Sequence, residues 1–412
     1  MTAGSASASP WPAPSPPGGS TNPAKPASDR PGVRTFYVGC YTTGAGGHAR
    51  GIEVVRHDPV SGAWTIGEAT DFPAVATISA AGADDPASPS YLAWHPDGRH
   101  LYAAGEVSEG RVWAFEVDKP GGRPELLSSA PTGGEFPCHL TVDPAGQFVV
   151  SANYGSGSIS VHPIRPDGSL GPRSDLVQHK GSGPHPDRQL GPHAHMASFV
   201  SDTLVLAVDL GVDGIAGYRL DRATGRLAPA PTAWSVLPPG FGPRHLALLP
   251  DDLVAVVGEL TGEIALMTVD PLSGGLTLRG LTTGTATGRF SQPSGIAASP
   301  DGRFVLMANR GTDTVAAFEL GRGASDDAPR LVLVDEIPCG GENPRDITLV
   351  GDTIYVANQG SGTITVLTID PETGLLSRSA SSLAIPSPTH VLAAGLTALA
   401  ARAEPNNRQE WQ

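Results

Sequence analysis

The chain repeats itself. A proline-led segment that runs into a short apolar strand recurs with starts near Pro89, Pro137, Pro192, Pro243, Pro293, Pro344 and Pro388. Its fullest forms are Pro89-Ser-Tyr-Leu-Ala-Trp-His-Pro-Asp-Gly98, Pro137-Cys-His-Leu-Thr-Val-Asp-Pro-Ala-Gly146 and Pro293-Ser-Gly-Ile-Ala-Ala-Ser-Pro-Asp-Gly302. Successive starts lie 48, 55, 51, 50, 51 and 44 residues apart. A period of roughly 40 to 50 residues with several short strands per unit is the signature of a β-propeller. In the unit from Pro137, His139 to Val142 reads as a first strand, Phe148 to Ala152 as a second and Ile159 to Ile164 as a third. Turns such as Asp270-Pro-Leu-Ser-Gly274 and Asp370-Pro-Glu-Thr-Gly374 lead into a fourth. Gly and Pro number 52 and 40 and charged residues are 17%, as expected of strands joined by tight turns.

The seventh unit has no room to finish, because the chain runs out soon after Val391. Conversely, Phe36 to Tyr41 and Ile52 to Arg56 read as second and third strands that lack a first. Joining the two solves both problems. The expected fold is therefore all-β: a seven-bladed propeller of four-stranded antiparallel blades, closed by pairing of N- and C-terminal strands. Closure removes two sheet edges that would otherwise invite aggregation. Residues 33–395 form this domain, between a disordered Pro/Ser/Ala/Gly-rich tail (1–32) and a loose C-terminal tail (396–412).

Stacking the repeats yields two polar columns. Before each first strand stand Tyr91, His139, His195, His245, Gly295, Asp346 and His390, preceded by Ser90, Cys138, Ala194, Arg244, Ser294, Arg345 and Thr389. After each second strand stand Gly105-Glu106, Asn153-Tyr154, Asp209-Leu210, Gly258-Glu259, Asn309-Arg310, Asn358-Gln359 and, in the split blade, Gly39-Cys40. The two strands are antiparallel, so both columns sit at one end of the ring, around the channel mouth. Asn153, Asn309 and Asn358 read as loop-capping groups. Arg244 and Arg310 are different, since a guanidinium facing the channel needs a carboxylate or an anionic ligand. Glu259 is the candidate partner, whereas Arg345 has Asp346 beside it. His139, His245, Arg345 and Glu106 are candidate substrate-binding residues. Pro184-His185-Pro186-Asp187, in the longest interval, reads as a solvent-exposed rim loop.

At these motifs the sequence resembles the lactonase family of seven-bladed propellers, which includes propeller-type 6-phosphogluconolactonase and the carboxy-muconate lactonizing enzyme. The resemblance is carried by Phe36-Tyr-Val-Gly-Cys-Tyr-Thr42, Gly191-Pro-His-Ala-His-Met196, Val208-Asp-Leu-Gly211, Gly242-Pro-Arg-His245, Gly258-Glu-Leu260 and Ala308-Asn-Arg-Gly311. It implies a catalytic set of His195, Arg244, Glu259 and Arg310. It also implies hydrolysis of a sugar lactone, with 6-phosphogluconolactone of the pentose phosphate pathway as leading substrate. Two departures stand out: Gly258 precedes the glutamate where the family often has Asn, and the turn at Pro250-Asp-Asp-Leu253 lacks glycine. Either Glu259 or His195 fits a general base, and either arginine an oxyanion donor.

Two rivals remain: lactonization of a carboxylated muconate, and a non-enzymatic binding or scaffold propeller, to which Tyr355 to Val366 has some likeness. A calcium-dependent propeller would need six to eight oxygens, whereas the funnel offers histidine and arginine, so no metal and no cofactor is expected. The net charge of −14 argues against nucleic-acid and anionic-membrane partners. A small anionic lactone is the expected partner. The odd set Cys40, Cys138 and Cys339 fits no zinc pattern and, with no apolar stretch of membrane length and no secretory leader, points to a cytoplasmic protein.

Overall fold

In the computed structural model, residues 32–42, 47–67, 88–322 and 328–395 are described. The tails expected at 1–32 and 396–412 fall outside them, save Gly32. Among the described residues, twenty-eight strands form seven four-stranded antiparallel sheets. From the channel outward, each sheet runs first, second, third and fourth strand; the innermost strands are Pro89–Trp94, Pro137–Val142, Ala194–Phe199, Pro243–Leu248, Gln292–Ala298, Pro344–Val350 and Pro388–Ala393. The last belongs to the sheet begun by Arg34–Cys40, with Tyr37 opposite Leu392 and Val38 opposite Val391. Ring closure by the two ends is thus as the split repeat requires. The same C-terminal strand is tied to the next blade, where Trp94 Nε1 donates to Ala393 O at 2.9 Å and Thr389 Oγ1 to Ser90 O at 2.8 Å.

The core lies between blades. Seven apolar clusters each join two neighbouring sheets, as when Phe148, Val150 and Ile159 pack on Ala197, Val205 and Tyr218. A second strand therefore has both faces covered. Leu101 to Ala104, Val205 to Val208 and Val254 to Val257 are buried at every residue, and read as continuous apolar runs rather than alternating ones.

At the end of the ring away from the site, Pro-Asp-Gly or Pro-Ala-Gly turns join first to second strands in three blades. Gly98, Gly146 and Gly302 adopt φ of 68°, 70° and 71°, which a Cβ disfavours. At Pro250-Asp-Asp-Leu253 two aspartates do this instead, with φ 59° at Asp251 and 56° at Asp252. Asp tolerates the left-handed region, so the missing glycine leaves the hairpin intact.

Each of the seven innermost strands carries one extra residue near its start, opposite the end of the second strand. Such a bulge turns two consecutive side chains toward the same side, where a regular strand would alternate them. The effect is visible in pairs: Ser90 with Tyr91, Arg244 with His245, and Arg345 with Asp346 line one cavity.

The register of the bulges corrects two columns by one residue. Ala194, not Pro192, stands opposite Asp209, in the place held by Pro243 opposite Gly258. His195 therefore aligns with Arg244 and Arg345 rather than with His245. In the split blade Cys40 stands opposite Pro388, so Tyr41, not Cys40, aligns with Glu106, Glu259 and Arg310. The cause is local: a Gly191-Pro-His entry without the usual proline at the bulge, and a blade whose first strand comes from the other end of the chain.

Candidate active site

Glu259 is the centre of the channel mouth. It is 1% exposed, yet three arginines reach its carboxylate. Oε2 is 2.8 Å from Arg244 Nη1 and 2.8 Å from Arg310 Nη2, and Oε1 accepts from Arg188 Nη2 at 2.6 Å. Burial alone would push the carboxyl pKa up. The charges of Arg310, Arg244 and Arg188 outweigh that and hold it well below the ordinary carboxylate range. Burial, opposed by Glu259, brings Arg310 down to about 10.

His195 accepts from Arg244 Nη1 through Nε2 at 2.5 Å, while its Nδ1 faces Cys138 Sγ at 3.5 Å. An arginine cannot accept a proton, so the network assigns a neutral imidazole with hydrogen on Nδ1. Burial and the Arg244 charge push its pKa well below the ordinary value. The Nε2 lone pair is occupied by the Arg244 N–H.

Beside this cluster lies a second, smaller one. Glu106 Oε1 accepts from Tyr41 Oη at 2.7 Å and from Arg345 Nη2 at 3.4 Å, with the Arg345 guanidinium 4.9 Å from the Tyr41 ring centre. Asp346, expected next to Arg345, instead accepts from His390 Nδ1 at 2.5 Å. Between the clusters the cavity is lined by Ser90, Tyr91, Glu106, Cys138, Arg244, His245, Arg345, Asp346 and Thr389. Ser90 Oγ, Glu106 Oε2, Arg244 Nε and His245 Nε2 are buried there without a partner. Buried polar groups are normally satisfied, so such a set around one small cavity leaves polar atoms open to water or to a polar group of a ligand. His139 packs against Tyr91 with tilted rings 4.1 Å apart and edge-on to His245 at 5.4 Å, and burial lowers its pKa to about 3. It is a neutral wall of the channel.

All eight residues singled out from the sequence thus surround one mouth. Asn153, Asn309 and Asn358 are fully buried and bond Ser158, Gly284 with Ser291, and Thr365 respectively, as caps do. Two residues escaped the sequence reading. Tyr41 lay one position beyond the aligned Cys40. Arg188 follows the Pro184-His185-Pro186-Asp187 segment, whose Pro184, Pro186 and Asp187 are exposed as expected, and places a guanidinium on Glu259. Its only sequence signal was a basic residue in the longest interval. Among the described residues, one trio of metal-competent side chains occurs, His95, Asp97 and His100, in a turn at the opposite end. Its side chains bond each other and Gly146 O.

The departure at Gly258 has a steric origin. A Cβ there would stand 2.6 Å from the Phe241 ring, which fills the space. Phe241 and Gly242 also accept from the Leu260 and Glu259 amides at 3.2 and 2.9 Å, fixing the glutamate's backbone. Gly258→Ala is expected to lower stability by about 1–3 kcal/mol through overpacking. Adding Phe241→Leu should recover part of that loss in a thermal-denaturation double-mutant cycle.

A family model, "Lactonase, 7-bladed beta-propeller", matches residues 35–393. The chain belongs to this lactonase family. Among its relatives, the 6-phosphogluconolactonase of Bacillus subtilis is 34% identical over 313 residues, covering 74% of this chain and 86% of the relative. The 6-phosphogluconolactonase of Formosa agariphila is 28% identical over 307 residues, 72% of this chain and 85% of the relative. In structure, the periplasmic gluconolactonase of Pseudomonas aeruginosa superposes with a TM-score of 0.76 at 27% identity, covering 88% of this chain and 99% of that one. This lactonase shares with that neighbour the whole ring, so an enzyme of the family, rather than a bare scaffold, is what the chain encodes. No helix among the described residues is long and apolar enough to cross a membrane.

Proposed function

We propose that this lactonase hydrolyses 6-phosphogluconolactone to 6-phosphogluconate at the channel mouth. The carrying observation is the buried carboxylate of Glu259 with three guanidiniums around it, beside a cavity of unpartnered polar atoms. Three positive charges face one negative charge, so the site favours an anion and a developing oxyanion. Arg244, held by His195, donates to the carbonyl oxygen as it becomes negative; one such donor is typically worth about 3 kcal/mol. Glu106, Arg345 and Ser90 receive the sugar hydroxyls. Glu259 is the proton acceptor for water. The unpaired, buried Cys40, Cys138 and Cys339 suit a cytoplasmic setting.

The substrate test is a panel assay of purified protein with phosphorylated, unphosphorylated and carboxylated lactones, corrected for spontaneous ring opening. The phosphorylated sugar lactone is expected to give the highest kcat/KM. Preference for a carboxylated muconolactone would move the assignment to the lactonizing reaction, and no hydrolysis of any member would remove it.

A further inference from the structure

The three arginines on Glu259 are not equivalent. Arg244 and Arg310 come from the strand ends of the ring, share Oε2, and have side chains 5% and 12% exposed. Arg188 comes from the loop before the strand Ala194–Phe199, holds Oε1 alone, and is 33% exposed. Its Nη2 also donates to Tyr154 Oη at 3.1 Å. The loop itself is pinned just beyond Arg188. Gln189 is fully buried, and its Nε2 donates to Leu210 O at 2.8 Å and Asp213 Oδ1 at 2.7 Å. The His185 ring accepts from the Asp187 and Arg188 amides. What can swing is therefore the Arg188 side chain, at the opening of the site, and the atom it covers is the one carboxylate oxygen that Arg244 and Arg310 leave free.

With a neutral His195, the cluster carries two uncompensated positive charges. A phosphate monoester dianion matches that excess and suits the planar fork of a guanidinium. We propose that Arg188 is a phosphate-operated latch: the substrate's dianion draws it off Glu259 Oε1, and the same movement that grips the phosphate frees the base. This rests on the lactonase reading and deepens it.

The step balances without a further reactant. Oε1 of Glu259 takes a proton from water as the water oxygen bonds to the lactone carbonyl carbon. The resulting oxyanion collapses, the bond from that carbon to the ring oxygen breaks, and Glu259 returns the proton to the ring oxygen. A carboxylic acid and a hydroxyl remain, and Arg188 closes again when the phosphate departs. Phosphate thereby acts on kcat as well as on KM.

The test compares wild type and Arg188→Gln on 6-phosphogluconolactone and on glucono-δ-lactone, the latter with and without inorganic phosphite dianion. In the wild type, phosphite is expected to speed hydrolysis of the neutral lactone. In Arg188→Gln that stimulation disappears, kcat/KM for the phosphorylated lactone falls roughly 10²-fold, and the neutral lactone, with Oε1 uncovered, is opened several-fold faster than by the wild type. Arg188→Lys keeps the charge without the fork and is expected to fall between the two. Equal losses on both lactones, or no change on either, would overturn the latch while leaving the lactonase reading in place. A wild type that opens neither lactone above the spontaneous rate overturns both.

Discussion

Glu259→Gln is expected to be the most damaging single substitution in this protein, for folding and for turnover together. It keeps the shape and removes the one charge that Arg188, Arg244 and Arg310 share. Breaking a buried ion pair from one side leaves uncompensated charge in a poorly solvated place, and typically costs about 3–5 kcal/mol. Turnover should fall by at least about 10²-fold, since the proton acceptor is gone. The pH dependence gives a second reading. A carboxyl whose folded-state pKa is depressed adds stability above its unfolded value, near 4.5, and that stability is lost as pH falls toward the folded value. Wild type should thus lose stability on acidification below about pH 4.5, and Glu259→Gln should lose less over the same range. Thermal denaturation of both proteins between neutral and acid pH measures it. Inorganic phosphate should raise the melting temperature of the mutant, because it supplies the missing negative charge.

Ending the chain after Ser387 is expected to undo the ring. It removes the innermost strand of the split blade, and with it the pairing to Phe36 through Cys40. Buried Val391 and Ala393 leave the cluster that also holds Phe36, Val38 and Tyr355. At about 1.5–3 kcal/mol for each large apolar side chain re-exposed, and an open edge in addition, the loss is several kcal/mol. That corresponds to a melting temperature lower by roughly 10 °C or more, with a broadened transition. Calorimetry and light scattering check it; a truncated chain that melts like the full one would mean that closure contributes little.

The fold was legible because a propeller writes its architecture in repeats, and each copy of Pro-x-x-apolar followed by a turn is an independent witness. Arg244, Glu259 and Arg310 were legible because an arginine or glutamate at a strand end facing the channel breaks the repeat. The one-residue slips at His195 and Tyr41 came from the bulges, which add a residue without changing the hydrophobic pattern on either side of them. Arg188 was hidden for a different reason. Loops carry no periodicity, so nothing in Pro184 to Gln189 could show that the chain folds back over the mouth. His195 reads as a base from its type, whereas in the structure its Nε2 accepts from Arg244 Nη1, a contact that no sequence pattern shows.

The central claim is that the arginine–carboxylate cluster at the channel mouth opens the lactone. Its most direct test is the rate of 6-phosphogluconate formation by wild type, Arg310→Lys and Arg303→Lys under identical conditions. Arg303 is half-exposed at the far end of the ring, where it pairs with Glu319, and serves as the control. Arg310→Lys keeps a charge near Glu259 but loses the fork, and kcat/KM is expected to fall on the order of 10²-fold while Arg303→Lys matches wild type. Folded Arg310→Lys protein that forms 6-phosphogluconate as fast as wild type would contradict the account and move the chemistry away from this mouth.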